Sequence, residues 1–302
     1  MIQVKKKILA AVDGSEGALN AVVYAGGLLA PGSCEVVLFH VMPPAPPLYR
    51  EATDPTLRQA GIAWGRKQER QAIEIIEAAV ATALRAGFLP GDVSGKRPPA
   101  AIGVARDILV EAARGDYDAV VMGRRGLGMM EDLFIGSVSH KVLQHTHLPL
   151  WLVEGRHLPL PILVGLDAGS SSLRTIDHLG FILGGATHVP VTLFHVQPPA
   201  LLAPALEPER CEGAEAEREF PFLAEAKREL IEACLPADMI HISACARGRD
   251  PARELLREAH EGGYGTVVMG RRGLTGARAF FLGSVSSKLV SSARQMAVWV
   301  VP

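Results

Sequence analysis

Residues 116–141, DYDAVVMGRRGLGMMEDLFIGSVSHK, decide the fold because the chain contains nearly the same stretch a second time. Residues 263–288 read GYGTVVMGRRGLTGARAFFLGSVSSK, and an ungapped comparison at a shift of 147 gives 15 identities in 26 positions. Chance does not produce a match of this density. The repeat indicates that the chain consists of two copies of one domain.

The repeat extends outward from this stretch over most of the chain. A length of 302 residues is sufficient for two domains of ordinary size, each with its own core. We therefore expect one domain at 1–155 and a second at 159–302, packed together because their junction is short. Two shorter segments also recur: ILAAVD at 8–13 as ILVGLD at 162–167, and LFHV at 38–41 and again at 193–196.

Within each copy, short apolar runs alternate with longer amphipathic segments, which predicts an α/β fold with a parallel sheet. The runs are apolar at nearly every position, as strands covered on both faces are. Two segments without a clear period, Pro43 to about 60 and Pro198 to about Pro208, are expected to be long loops. The expected strands lie near 7–12, 35–41, 92–97, 118–122 and 149–153, and near 161–166, 190–196, 239–245, 265–269 and 297–301. The expected helices of the first copy lie near 16–29, 66–86, 103–114 and 137–145.

The composition is typical of a globular protein without extensive disorder. The chain is 48% hydrophobic and 21% charged with a net charge of -1, so nothing indicates nucleic acid or an anionic membrane as partner. Its 4 cysteines form no C-x-x-C pair, which argues against a disulfide framework or a zinc ribbon. No apolar run suggests a signal peptide or a membrane helix. We expect a cytoplasmic protein.

The repeated stretch carries a candidate phosphate site. Gly123 follows a buried strand, Gly126 comes three residues later, and after nine more residues Gly136 and Ser137 open a helix. A helix N-terminus offers free N–H groups and a partial positive charge to an anion, so phosphate is the natural occupant. The same pattern recurs at Gly270, Gly273, Gly283 and Ser284.

Each part of this pattern also has a purely structural interpretation. A glycine after a strand can be only a turn, and Gly-Ser before a helix can be only a cap. Ser137 fits either a helix cap or a hydroxyl that contacts phosphate. Asp13 and Asp167 close the first strand of each copy, where a carboxylate either accepts hydrogen bonds from a ribose or base or caps the next helix.

Basic residues leave further alternatives. Two arginines follow the first glycine in each copy and either pair with phosphate or face solvent: Arg124, Arg125, Arg271 and Arg272. Three histidines of the first copy have no counterpart in the second, so we expect no metal site there: His140, His145 and His147. His40 and His195 do recur near strand ends, where we expect hydrogen-bonded structural histidines.

Familiar catalytic motifs are missing from the sequence. It contains no G-x-x-x-x-G-K-[ST], no G-x-G-x-x-G after the first strand, no H-E-x-x-H and no G-x-S-x-G. A dedicated NTPase, dehydrogenase, zinc protease or ordinary hydrolase is therefore disfavoured.

The sequence resembles the universal stress protein family in its tandem, two-domain form. The resemblance depends on the strand-Asp and Phe-His-Val segments and above all on G-x2-G-x9-G-[ST] in both halves, the mark of the family's ATP-binding branch. It implies two tandem Rossmann-like (adenine nucleotide alpha hydrolase-like) domains, each a five-stranded parallel sheet of order 3-2-1-4-5 flanked by helices. Strands 1 and 4 would then be neighbours, with Asp13 beside Gly123 and Asp167 beside Gly270, where open α/β sheets bind ligands.

The resemblance also implies a set of ligand contacts. Val41 and Val196 would meet adenine through backbone groups, and Asp13 and Asp167 would face the adenosine. Ribose and phosphates would be surrounded by Met122, Gly123, Arg125, Gly126, Gly136, Ser137, Val138 and Ser139 in the first copy. In the second copy they would be surrounded by Met269, Gly270, Arg272, Gly273, Gly283, Ser284, Val285 and Ser286.

One departure concerns the second site. Aligning Gly14-Ser15 with Gly169-Ser170 gives the second copy an extra residue after Asp167. If one site is degraded, we expect it to be this one.

We expect an adenine-nucleotide (ATP, ADP or AMP) binding stress-response protein, a sensor or regulator, with Mg²⁺ compatible with the phosphates. The alternatives are a slow ATPase or phosphotransferase, and a scaffold that binds a protein or an apolar ligand and has vestigial nucleotide sites. Because the family pairs its fifth strands, segments 148–153 and 296–301 are expected to pair as an internal pseudo-dimer. A further homodimer of two chains is compatible with the sequence.

Overall fold

A computed structural model describes residues 5–126, 135–158, 161–198, 209–246, 250–271 and 282–302. Contacts between its Cα atoms divide the chain into two units, residues 1–27 with 31–146 and residues 28–30 with 147–302. The α/β, Rossmann-like fold class is confirmed, and its details differ from the expectation at the sheet edges. None of the helices in the described ranges is both long and apolar enough to cross a membrane.

The sheet of the first unit is fully parallel. Its strands are β1 (Lys6–Ala11), β2 (Cys34–Phe39), β3 (Val93–Lys96) and β4 (Ala119–Gly123), in the order β3-β2-β1-β4. Successive residues of β1 such as Ile8 and Leu9 are completely buried, so helices cover both faces of the sheet. The register pairs Ala11 with Met122 and thereby brings the carboxyl ends of β1 and β4 side by side.

The helices of the first unit are α1 (Glu16–Leu28), α2 (Pro47–Arg50), α3 (Pro55–Arg85), α4 (Val104–Arg114) and α5 (Ser137–His145). The expected start of α3 at 66 and the expected loop from Pro43 to about 60 are both wrong. The side chain of Asp54 accepts hydrogen bonds from the N–H groups of Thr56 and Leu57, and Pro55 occupies the first helical position. This capping signal starts the helix early.

The sheet of the second unit contains β5 (Leu150–Val153), β6 (Ile162–Leu166), β7 (Val191–Gln197), β8 (Glu209–Glu212), β9 (Ile240–Ala246), β10 (Thr266–Gly270) and β11 (Ala297–Val301). Their order is β5-β11-β10-β6-β7-β9-β8. Five of these strands, β9, β7, β6, β10 and β11, are parallel neighbours in that order. They have the 3-2-1-4-5 order that the resemblance implies. Its helices are α6 (Ser170–Leu183), α7 (Gly213–Glu219), α8 (Pro221–Glu232), α9 (Pro251–Glu261) and α10 (Ser284–Ser292).

Strand β5 belongs to the first copy by sequence but lies in the second unit, where it pairs antiparallel with β11, the pairing expected of the two fifth strands. One edge strand corrects the expectation of five parallel strands per domain. Strand β8, which was not expected, pairs antiparallel with β9. Strand β3 is exposed rather than covered on both faces, and Pro98 and Pro99, which follow it, cannot donate ladder hydrogen bonds.

The expected extra residue after Asp167 is also wrong. Helix α1 begins three residues after Asp13 and helix α6 begins three residues after Asp167, so the spacing is the same in both copies. The two Gly-Ser pairs are therefore not structurally equivalent. Counted from the aspartates, Ser171 occupies the position that Gly17 has in the first copy.

The pairing of segments 148–153 and 296–301 is confirmed by β5 and β11. Trp151 lies opposite Trp299 in the register, and their rings stack with centroids 3.9 Å apart. The indole N–H of Trp151 donates to Nε2 of His178 on α6 at 3.3 Å. Burial lowers the pKa of His178 to about 3, so this ring stays neutral in the folded protein.

The C-terminal ends of α3 and α8 pack in the same way in the two units. A Cβ on Gly26 of α1 would lie 2.6 Å from Cβ of Ala86, the residue after α3. A Cβ on Gly180 of α6 would lie 2.9 Å from Cβ of Ala233, the residue after α8. The two helices are therefore held at equivalent positions.

The Gly26→Ala substitution should lower the unfolding midpoint, because the new methyl group collides with the backbone and Cβ of Ala86. We expect the free energy of unfolding to fall by about 1–3 kcal/mol, which is typical of overpacking. Gly27→Ala is the matched control, since nothing lies within 4 Å of a Cβ there. It should be neutral or stabilising by up to about 1 kcal/mol through helix propensity. Equal midpoints for the two variants in denaturant titrations would contradict the packing.

His178 should make stability dependent on pH. Its pKa is lower in the folded state than the ordinary 6.5, so the unfolded state binds more protons as the pH falls from about 6.5 towards about 3. Stability is therefore full above pH 6.5 and is lost below it. His178→Gln keeps an acceptor for Trp151 but does not titrate, so between pH 6.5 and 5 its midpoint should fall less than that of the parent protein. A parallel decline would contradict the assignment.

Candidate functional site

The carboxyl ends of β1, β2 and β4 open onto a cleft of about 640 Å³ in the first unit. This is the point where the strand order reverses, and its volume is in the range of small-molecule sites. The structure brings all ten residues expected from the first copy to this one cleft: Asp13, Val41, Met122, Gly123, Arg125, Gly126, Gly136, Ser137, Val138 and Ser139.

Asp13 connects the strand end, the next helix and the glycine loop. Its Oδ1 accepts hydrogen bonds from the backbone N–H of Ser15 at 3.0 Å and from the hydroxyl of Ser15 at 2.5 Å. The Ser15 hydroxyl oxygen accepts from the N–H of Ala18 at 3.2 Å, so Ser15 rather than Asp13 caps α1. A Cβ on Gly126 would lie 2.3 Å from Oδ2 of Asp13. Glycine at 126 therefore makes room for the carboxylate.

The close approach of two backbones fixes the other side of the cleft. A Cβ on Gly123 would lie 2.7 Å from the carbonyl carbon of Gly17 and 2.9 Å from the backbone nitrogen of Ala18. Backbone atoms cannot move away as a flexible side chain can. Gly123 is therefore required for the contact between β4 and the first turn of α1.

Helix α5 begins at the floor of the cleft. Gly136 is its N-cap, and the backbone N–H of Gly136 donates to the carbonyl oxygen of Arg124 at 2.9 Å. The buried hydroxyl of Ser139 donates to the carbonyl oxygen of Gly123 at 3.0 Å. Ser137 is exposed and is the first helical residue, so its interpretation as a cap is wrong. The first-turn N–H groups of α5 and the exposed hydroxyl of Ser137 are therefore suited to contact an anion.

The arginines differ in their surroundings. Arg124 and Arg271 are buried, with 1% and 6% of their surface exposed, so the solvated alternative is wrong for both. Arg125 lines the cleft. Arg272 and Gly273 lie outside the described residues.

The two recurring histidines are hydrogen-bonded, as expected. Nδ1 of His40 lies 2.9 Å from the carbonyl oxygen of Val12, and Nδ1 of His195 lies 2.8 Å from that of Leu166. A carbonyl oxygen only accepts, so Nδ1 carries the proton and Nε2 of the neutral ring is an acceptor. Burial lowers the pKa of His195, which favours this neutral form. His40 also lines the cleft.

Sequence reasoning missed one wall of the cleft. Helix α3 lines it with Gln68, Gln71, Glu74 and Ile75. Gln68, Gln71 and Ile75 are spaced three and four residues apart, which places them on one helix face. That spacing was visible in the sequence, but it did not show that the face is turned towards the strand ends.

The second unit has hydrogen bonds similar to those of the first, except that the hydroxyl bound to the strand-end carboxylate comes from Ser172, at the position of Ala18. Oδ1 of Asp167 accepts from the backbone N–H of Gly169 and from the hydroxyl of Ser172, both at 2.9 Å. The Ser286 hydroxyl donates to the carbonyl oxygen of Gly270 at 2.9 Å, as Ser139 does to Gly123. Gly283 is the N-cap of α10, and its N–H donates to the carbonyl oxygen of Arg271 at 2.9 Å.

The other expected residues of the second copy occupy matching places. Val196 lies in β7 and Met269 in β10, and both are buried. Ser284 and Val285 form the first turn of α10. The described part of the second site thus has the framework of the first.

Comparisons with known proteins agree with this architecture. The profile of the "Universal stress protein family" matches residues 5–154 and 160–302. A universal stress protein of Mycolicibacterium smegmatis is 28% identical over 303 residues, covering 98% of this chain and 97% of its own. A universal stress protein of Mycobacterium tuberculosis is 28% identical over 243 residues, covering 76% of this chain and 74% of its own. The crystal structure of a universal stress protein from Archaeoglobus fulgidus superposes with a TM-score of 0.66 at 17% identity, covering 98% and 97%, which shows a shared fold.

The two serines of α5 should separate structure from ligand contact. Ser139→Ala removes the hydrogen bond to Gly123 and should lower stability by about 1–2 kcal/mol, because a buried carbonyl loses its donor. Ser137→Ala removes an exposed hydroxyl and should leave the unfolding midpoint within about 0.5 kcal/mol of the parent protein. Denaturant titration checks both variants, and a larger loss at Ser137 would contradict the assignment.

Proposed function

The chain belongs to the universal stress protein family, and on that premise we propose that each of its two domains binds an adenine nucleotide, namely ATP, ADP or AMP. In the first domain the adenosine lies against Val41 and Asp13, and the phosphates lie at the N-terminus of α5. In the second domain Val196, Asp167 and the N-terminus of α10 take these roles.

The observation that carries the proposal is the convergence of three different groups on one cleft. A strand-end carboxylate (Asp13), the backbone of a neighbouring strand end (Val41) and a helix N-terminus (Gly136) lie around the same space of about 640 Å³. A nucleotide has a matching order of parts: a base, a ribose with hydroxyl donors, and phosphates. The helix N-terminus and Arg125 favour the negative charge of the phosphates.

The cleft also fits Mg²⁺ bound together with the nucleotide. Mg²⁺ is usually held by one or two carboxylates and by substrate phosphates rather than by a cage of side chains. Asp13 and Glu74 both line the cleft. Within the described ranges no group of three or more His, Cys, Asp or Glu residues is arranged to hold a metal. The phosphates would therefore supply the remaining ligands.

We propose that the chain senses or regulates through binding rather than through rapid chemistry, and that it does so in the cytoplasm, where adenine nucleotides are abundant. Oδ1 of Asp13 already accepts two hydrogen bonds from Ser15. These bonds fix the carboxylate, so that Asp13 is suited to position a ligand. Slow hydrolysis is the enzymatic alternative, and a homodimer that responds to the nucleotide is compatible with the fold. Both are checked on the same protein, by product analysis and by sedimentation with and without ATP.

Gly136→Asp should weaken nucleotide binding in the first domain, and its Cβ, 3.3 Å from the carbonyl oxygen of Arg124, requires a shift of a few tenths of an ångström. The N-cap φ and ψ of −66° and 148° accept any residue, and Asp is a preferred N-cap. Its carboxylate stands where the phosphates would bind and repels them. In calorimetric titrations with ATP the parent protein should take up two nucleotides per chain. The variant should lose one of them, with affinity at that site at least about tenfold lower.

Gly136→Asn is the matched control, because it has nearly the same shape and capping ability without the charge. It should bind ATP more tightly than the aspartate variant. Equal affinity in the two variants would contradict phosphate binding at α5. A parent protein that binds no adenine nucleotide at millimolar concentration would contradict the proposal as a whole and would favour the scaffold alternative.

A further inference from the structure

The two proposed nucleotide sites differ in the helix beside the strand ends, although their proposed phosphate ends are alike. Helices α3 and α8 end at Arg85 and Glu232, and the residue after each packs on a glycine of the preceding helix. Counting back from these equivalent ends, Ile75 of α3 corresponds to Phe222 of α8. Ile75 lines the first cleft and touches the place where a Cβ on Gly14 would lie, at 3.0 Å.

Phe222 contacts the residue next to the proposed base position of the second domain. Its ring centroid is 5.0 Å from that of His195, and the two rings are nearly perpendicular at 88°. His195 directly precedes Val196, the residue at the end of β7 that we assign to the base. In the first cleft the equivalent pair, His40 and Ile75, both line the cavity. Phe222 is thus part of the wall beside the proposed base position.

The faces of the Phe222 ring are not stacked by another ring in the described part of the chain. Its ring contacts are with His195 and with Phe220, and the latter is inclined by 68° at 6.3 Å. Phe220 is a core residue, since only 6% of its surface is exposed. Phe222 is partly exposed. A partly exposed aromatic side chain beside the proposed base position offers a surface on which a planar ligand can stack.

We propose that the base of the nucleotide in the second cleft stacks on Phe222, so that the two clefts recognise the base by different means. The inference rests on the function proposed above. Stacking tolerates different bases because every base has a π-face. The first cleft has the aliphatic Ile75 and the carboxamides of Gln68 and Gln71, which select by hydrogen bonds. The second cleft therefore discriminates less between adenine and guanine nucleotides than the first.

The test uses the full chain with one cleft silenced at a time. Gly136→Asp leaves only the second cleft, and Gly283→Asp, also at an N-cap with extended φ and ψ, leaves only the first. The dissociation constants of ATP and GTP are measured for each. In the Gly136→Asp background, Phe222→Ile should weaken the binding of both nucleotides about tenfold or more. Phe222→Trp should retain binding, because it keeps an aromatic face.

Phe181→Ile is the matched control, because Phe181 is an exposed phenylalanine near the C-terminal end of α6, and the strand ends lie at the N-terminal end of this helix. It should leave both dissociation constants unchanged. The ratio of the GTP to the ATP dissociation constant should be larger for the first cleft than for the second.

The outcomes separate this inference from the proposed function. If Phe222→Ile binds as tightly as its parent, or if a folded Phe222→Trp protein loses binding, stacking on Phe222 is wrong while nucleotide binding stands. If the Gly136→Asp protein binds neither nucleotide but the Gly283→Asp protein binds ATP, the second cleft is not a nucleotide site and the inference fails. If the unmodified chain binds neither, the proposed function itself fails.

Discussion

The close approach of Gly123 to Gly17 is the contact on which the rest of the first cleft depends. Because neither residue has a side chain, the end of β4 reaches the backbone of the first turn of α1. The carbonyl oxygen of the same glycine accepts a hydrogen bond from the hydroxyl of Ser139, and this bond fixes the start of α5. One residue thus holds a strand end and two helix N-termini around the position where a negative charge is most favourable.

The second copy satisfies the same constraint with a different residue. Ser171 takes the place of Gly17, and a Cβ on Gly270 would lie 2.0 Å from its hydroxyl oxygen. The hydrogen bond from Ser286 to Gly270 nevertheless matches that from Ser139 to Gly123. The geometry of the proposed phosphate end is therefore kept despite the change at residue 171, because it is set by backbone atoms and by one serine hydroxyl in each copy.

The sequence predicted those parts of the fold that depend on local pattern or on repetition. Buried parallel strands and the helix start at Gly136 follow from local pattern and spacing, whereas the clustering of the ten first-copy residues was implied by the family resemblance. The edge strand β8 was missed, because it pairs antiparallel with β9, a strand distant in the chain. The extra residue expected after Asp167 was also wrong, because the Gly-Ser pairs of the two copies occupy different positions relative to the helix start. Gln68, Gln71 and Ile75 were missed because a helix face has no direction until its tertiary packing is known.

The two copies share the helix N-terminus at the proposed phosphate end and differ in the helix that flanks the proposed base position. This difference follows the chemistry of the proposed ligand. Phosphate is recognised through backbone N–H groups at a helix N-terminus, and few side-chain changes at that end preserve the geometry. A base is recognised through the side wall, which α3 and α8 provide without altering the strand ends. A duplicated chain can therefore change the selectivity of one cleft while retaining its affinity for phosphate. Two clefts with different selectivity would let one chain respond to two nucleotide pools, which two identical clefts would not.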